Sequence, residues 1–246
     1  MGTTTTRNAF CRFVGRSGRY LSPLTSIQSF LAQPATSWGR PNQIKIMQQT
    51  IGIIGAGHIG QTVARHLVKA GHKVILSNQR GADALQSLVA ELGQNARAGS
   101  VQDAAQAEIV LLSLPWSQIP SITGIADWNG KVVIDATNHF ISYAPDFKVE
   151  DLGTKASSEV VAALLPGAKV VKAFNTIFYK TLAEDPRVAG GNRVLFVSAN
   201  DAAAKTQVSR LIESIGFSPV DLGDLATGSK LQQAKGPLAT LNLVKL

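Results

Sequence analysis

From residue 47 onward, short apolar runs rich in β-branched side chains alternate with stretches whose apolar positions recur every third or fourth residue. That alternation predicts strands at residues 51–54, 73–76, near 97–98, 109–114, 132–135, 169–174, 193–198 and 218–222. It predicts helices at 61–70, about 82–92, 101–105, 157–165, 177–183 and 202–215. Gly71 and Gly216 mark two helix ends, and Ser157 reads as the cap of the helix at 157–165, with Glu159 in its first turn. Strands that are apolar throughout and joined by helices are buried on both faces, which predicts a parallel α/β sheet. The stretch 236–246 is apolar, with Leu238, Leu241, Leu243, Val244 and Leu246, and reads either as a docked terminus or as an interface.

The most informative junction is 51–60, IGIIGAGHIG, where a strand runs into Gly55-Ala56-Gly57-His58-Ile59-Gly60. The following helix carries its apolar face at Val63, Ala64, Leu67 and Val68. In a strand–turn–helix context a G-x-G-x-x-G has a physical meaning. Gly55 allows the sharp turn, Gly57 allows backbone to approach a pyrophosphate, and Gly60 allows helix and strand to pack closely. The helix start then offers unpaired N–H groups to phosphate. A turn of purely structural use is the competing reading.

Composition changes the picture mainly by where the charge lies. The net charge of +8 suggests nucleic acid until it is located: Arg7, Arg12, Arg16, Arg19, Arg40 and Lys45 fall in residues 1–46, which contain no acid. The remainder carries 18 basic against 16 acidic residues, so no basic binding face is expected on the folded body. The leader, rich in Ser, Thr and Arg, suits a mitochondrial transit peptide, whereas a start at Met47 would leave the protein cytoplasmic. A single cysteine, Cys11, excludes an intramolecular disulfide, and four scattered histidines give no zinc spacing. The sequence contains no apolar run long enough for a membrane span, so neither membrane nor metal is an expected partner.

The end of the second strand bears on which dinucleotide binds. Ser77, Asn78 and Arg80 occupy the region where an acid takes the ribose of NAD, and no acid occurs until Asp83. Asn78 and the Arg80 guanidinium suit a 2′-phosphate, so NADP(H) is the expected cofactor. Ligands lie at the carboxyl ends of such strands, so Ser113-Leu114-Pro115, Ala136-Thr137-Asn138 and Asn175-Thr176-Ile177 should line the nicotinamide end. Proton-transfer groups are scarce. His58 lies within the loop, His66 and His72 read as surface residues, and His139 follows a strand end with a surface role expected. Tyr143 and Tyr179 lack a lysine four residues on, and no catalytic residue is assigned.

Several separated segments, in order, carry a resemblance: GIIGAGHIGQTVARHLVKAGHKVILSNQRG, LLSLPW, VIDATN, SSEVVAALLPGAKVVKAFNTI and PVDLGDL. Together they resemble the NADPH-dependent F(420) reductase family, also called NADP oxidoreductases, coenzyme F(420)-dependent, over about residues 49–246. The resemblance implies a Rossmann-type doubly wound parallel sheet with a small C-terminal α/β extension, organised as 47–140 for the dinucleotide and 141–246 completing the acceptor site, in a homodimer. It implies hydride transfer between NADPH and a deazaflavin (F420) or flavin-like acceptor. Gly55, Ala56, Gly57, His58, Ile59 and Gly60 would hold the pyrophosphate, and Asn78 and Arg80 the 2′-phosphate. Ser113–Pro115 and the strand end at 173–177 would flank the two rings. The family archetype has His where Asn175 stands and Ser-Arg where Asn78-Gln79 stand, so deazaflavin specificity transfers less directly than the fold. An NADP-binding sensor without turnover and a reductase of a small carbonyl or imine are the alternatives.

Overall fold

The computed structural model describes residues 48–246; the leader, with Cys11 and Met47, lies outside the described residues. The elements in chain order are β1 (Thr50–Ile54), α1 (His58–Lys69), β2 (Lys73–Ser77), α2 (Gln86–Leu92), β3 (Ala96–Ala98), α3 (Val101–Ala105), β4 (Ile109–Leu112) and β5 (Val132–Asp135). A hairpin of β6 (Phe140–Ser142) and β7 (Lys148–Val149) precedes α4 (Ser157–Leu164), β8 (Lys169–Lys172), α5 (Tyr179–Ala183) and β9 (Arg187–Val188). The chain closes with β10 (Gly191–Ala199), α6 (Ala202–Ser214), β11 (Ser218–Asp221), α7 (Leu225–Gln232) and β12 (Val244–Lys245).

One twisted sheet runs in the order β11-β10-β8-β5-β4-β1-β2-β3. From β8 to β3 every neighbour is parallel, with Ile51 opposite both Val74 and Ile109. The chain passes from β1 outward to β2 and β3, then returns to place β4 on the other side of β1. That reversal between β1 and β4 creates the crevice in which such sheets bind ligands. Strand period sorts the core into two layers. Ile51, Ile53, Ile109 and Leu111 point to one layer with Val63 and Leu67 of α1. Ile54, Val110 and Leu112 point to the other with Trp116, Val161 and Leu225. Gly52 faces the second layer, where a Cβ would stand 1.8 Å from the Ala104 carbonyl oxygen, so α3 lies directly on β1.

The sheet departs from the all-parallel expectation at one edge. β10 runs antiparallel to β8, and β11 follows β10 in parallel. A tight hairpin delivers β10 in this direction: β9 and β10 pair across Ala189 and Gly190, both at positive φ. Two successive left-handed residues are the signature of a turn whose twist matches paired strands. The expected strand at 109–114 ends at Leu112 and that at 169–174 ends at Lys172, because the chain leaves the ladder to form the crevice rim. After the expected strand at 218–222, observed as β11, the chain adds α7 and β12. β12 docks the terminus against β10, while Leu246 stays 91% exposed. Ser157 does not cap α4: the capping position is Ala156, whose N–H donates to the Glu159 carboxylate at 2.7 Å.

Candidate functional site

The glycine loop is held from three sides. The Gly55 N–H donates to the Ser77 carbonyl at 3.0 Å, and the Ser113 N–H donates to the Ile54 carbonyl at 2.9 Å. Gly55 sits at φ +104°, and a Cβ there would lie 2.1 Å from the Ser113 carbonyl oxygen. At Gly60 a Cβ would meet the Gly55 carbonyl oxygen at 2.0 Å, so α1 touches the loop that precedes it. Gly57 differs from both: a Cβ there would enter open space. It caps α1 with no side-chain oxygen, and the first turn carries no acid. The helix thus begins with unsatisfied N–H groups and an unopposed positive dipole end facing an open surface, which suits a pyrophosphate. Ala56 and Ile59 pack into or against the core and contribute backbone only. His58 is exposed, its ring stacked on Tyr179 with centroids 4.2 Å apart.

Beyond β2 the surface is lightly held. Ser77 is fully buried, and its hydroxyl donates to the Ile53 carbonyl at 3.0 Å. That corrects its expected place in the binding surface: it fixes the β1–β2 end from below. Asn78 is half-buried, with Oδ1 shielded from solvent and lacking a partner among the described residues. Gln79 and Arg80 are exposed, and Arg80 makes no ion pair among the described residues.

At the ends of β4, β5 and β8 the structure is dense. Ser113 and Leu114 are half-buried, Pro115 is exposed, and buried Trp116 anchors the turn that follows, its indole N–H donating to Glu150. The loops after β5 and β8 meet through their amides. Asn138 Nδ2 donates to the Asn175 carbonyl at 3.2 Å, and Asn175 Nδ2 donates to Asn138 Oδ1 at 3.1 Å and to the Gln232 carbonyl at 2.6 Å. Phe174, just before, is buried with φ +66°, a left-handed conformation unusual for so bulky a residue and kept only where surroundings impose it. Here the Thr240 N–H, donating to the Thr176 carbonyl at 2.7 Å, ties the turn to the C-terminal segment. Ile177 is 4% exposed within the core, so its side chain supports the turn and does not line the crevice.

Beneath this pair lies a charged group that sequence reading missed. Asp135 and Lys172 face each other across β5 and β8, both fully buried, with Nζ to Oδ2 at 3.0 Å. Ser158 donates to Asp135 Oδ2 at 2.6 Å, and the Thr137 N–H and hydroxyl donate to Oδ1 at 2.9 and 2.6 Å. Lys172 also donates to the Thr137 carbonyl. Burial by itself pushes the Asp135 carboxyl up, but the Lys172 ammonium and these hydrogen bonds hold it below its ordinary range. Burial lowers Lys172, against the pull of Asp135. The available signal was an acid and a base closing the valine-rich strands VVID and KVVK.

The histidines are less superficial than expected. His72 is buried, accepting from the Gln49 N–H at Nδ1 and donating from Nε2 to Ser214, and burial lowers its pKa. His139 is 4% exposed, edge-on to Trp116, and burial again lowers its pKa. His66 is half-buried and donates to the Leu182 carbonyl. Among the described residues no cluster of His, Cys, Asp or Glu could hold a metal ion, and no helix is long and apolar enough to cross a membrane.

Sheet order, glycine loop and uncapped helix start together define a protein of the doubly wound, dinucleotide-binding α/β class. Residues 50–139 match the family described as NADP oxidoreductase coenzyme F420-dependent. A crystal structure of a hypothetical protein from Sinorhizobium meliloti is 44% identical, with a TM-score of 0.76, covering 81% of this chain and 97% of that one. A candidate F420-dependent NADP reductase from Arthrobacter sp. FB24 is 29% identical with a TM-score of 0.65, covering 75% and 88% of the two chains. Metalloreductase STEAP3 of Rattus norvegicus is 28% identical over 186 residues, which is 74% of this chain and 35% of that protein. The chain thus spans between 35% and 39% of the length of the curated relatives it matches. Through residues 50–139 the protein belongs to the F420-dependent NADP oxidoreductase family, and its relatives include reductases.

Proposed function

We propose that the protein transfers a hydride between NADPH and a deazaflavin (F420) or flavin-like acceptor. NADPH, when bound, supplies the hydride, and the acceptor takes it up together with a proton from solvent. The residues fit the nucleotide in an ordered way. The N–H groups at Gly57 and the start of α1 would hold the pyrophosphate, and Asn78 and Arg80 the 2′-phosphate. Ser113, Leu114, Pro115, Asn138 and Asn175 would flank the nicotinamide.

The observation that carries this reading is the contrast between the rim of that end and what lies beneath it. The rim presents a hydroxyl, apolar groups and amides, while Asp135, Lys172 and His139 are buried below. Such a rim orients flat rings and shields them from water, and a transfer between stacked rings needs little else from the protein. The exposed Leu241, Leu243 and Leu246 support a homodimer, whose mass light scattering of the purified chain would read directly.

The test is NADPH oxidation followed at steady state with F420, FMN, FAD and a panel of small carbonyl compounds and imines. Turnover confined to the deazaflavin and flavins is the expected result. Turnover with carbonyls or imines alone would move the protein to the carbonyl-reductase alternative. Tight NADPH binding without turnover on any acceptor would make it a nucleotide sensor.

A further inference from the structure

We propose that Asn175 Oδ1 is the group that reads the carboxamide of nicotinamide, making the protein selective for a ring that bears a primary amide. This rests on the placement of NADPH given above.

Hydrogen-bond accounting leads to it. A backbone carbonyl can only accept, so the Asn175 group facing the Gln232 carbonyl at 2.6 Å must be its NH2. By the same logic the Asn138 group facing the Asn175 carbonyl is its NH2, which leaves Asn138 Oδ1 to accept from Asn175. Both amide orientations are therefore fixed by backbone. Asn175 uses its NH2 on two partners, and its Oδ1 is left buried with no partner among the described residues. Asn175 as a whole is 9% exposed. Buried acceptors in native proteins are nearly always paired, so one left without a partner beside these strand ends points to a donor that arrives with a ligand.

Location supplies the chemistry. Asn175 lies just past the end of β8 and bonds to Asn138, just past the end of β5. In sheets wound this way the ring end of a dinucleotide lies over those strand ends. The nicotinamide carboxamide carries an NH2 that lacks a protein acceptor until it meets one there. The amide's surroundings hold its orientation: Phe174 is at φ +66°, Gln232 is buried and donates to the Lys172 carbonyl, and Lys172 is paired to Asp135. No other orientation of the Asn175 amide satisfies both of its NH2 contacts.

The 3-acetylpyridine analogue of NADPH replaces that NH2 by a methyl and changes nothing at the phosphates. For the unaltered protein, fluorescence titration is expected to give a Kd for the analogue at least about tenfold above that for NADPH, since a site built around a hydrogen bond rejects a ligand lacking the donor. In Asn175→Leu the two Kd values should converge, through weaker NADPH binding and an unchanged analogue. Equal Kd values in the unaltered protein would overturn the inference, and because this arm needs no variant it stands even if Asn175→Leu folds poorly. A variant weakening both ligands alike would also overturn it, assigning Asn175 a structural role only. Failure of the underlying placement looks different: NADPH would then bind no better than NADH, or not at all.

Discussion

The two ends of the crevice are built by opposite means. Past β2, the residues that would face the adenosine end are exposed and few, with Gln79 and Arg80 on the surface and one oxygen on Asn78 unpaired among the described residues. Past β5 and β8, two loops are clamped by reciprocal amides, a buried ion pair, a left-handed phenylalanine and the C-terminal segment. On the proposed function, the difference follows from what each end would recognise. A phosphate carries its own charge, and a mobile guanidinium finds it without fixed geometry. Passing a hydride between rings requires reacting atoms held about 3–3.5 Å apart, so the scaffold at that end must be stiff.

The largest effect that can break this contrast is on stability at the stiff end. Lys172→Met leaves Asp135 charged, buried and unpaired, and should lower the unfolding free energy by about 3–5 kcal/mol in urea titration. Adding Asp135→Leu should recover much of that loss, because an apolar pair of similar volume needs no desolvation of charge. A small effect of the single change would mean that the clamp is slack. Gly57→Val comes next. A Cβ there would meet open space, so the fold should persist while NADPH binding weakens by at least about 100-fold, or about 2.7 kcal/mol. Unchanged affinity would remove the pyrophosphate from this loop.

Arg80→Ala probes the loose end and should raise the Kd for NADPH about tenfold, with NADH little affected, as expected for one charge-assisted contact. Equal effects on both nucleotides would make the two ends alike. The smallest effect is one of pH without ligand. Burial lowers the pKa values of His66, His72 and His139, so the unfolded chain binds more protons than the folded one as pH falls below about 6.5. Stability should therefore be lower at pH 5.5 than at pH 7.5, read as a fall in Tm. The depressed Asp135 carboxyl contributes stability above about pH 4 that disappears on further acidification. A flat profile from pH 7.5 to 5.5 would show the histidines to be solvated.

What could be read in the sequence was what neighbouring residues decide among themselves. The glycine loop, the strand before it and the helix after it are a local pattern, and β1, α1 and the loop geometry follow it closely. Gly57 could be singled out because its role depends on its own missing side chain. Asp135 and Lys172 lie 37 residues apart, and only strand pairing makes them one group. Ile177 and Ser77 stand beside residues proposed to face the ligand, but strand and turn geometry points them inward. The reversed β10 hinges on Ala189 at positive φ, which an alanine does not advertise. His72 and His139 looked superficial because a histidine's burial depends on partners such as Ser214 and Trp116 that the local pattern does not reveal.

The stacked rings of His58 and Tyr179 carry one consequence for how the ends communicate. His58 belongs to the segment that would grip phosphate, and Tyr179 opens the helix only a few residues after Asn175. Two stretches far apart in the chain therefore meet through one stacked pair of rings. A nucleotide seated as proposed would bear on both stretches through that one stacked pair.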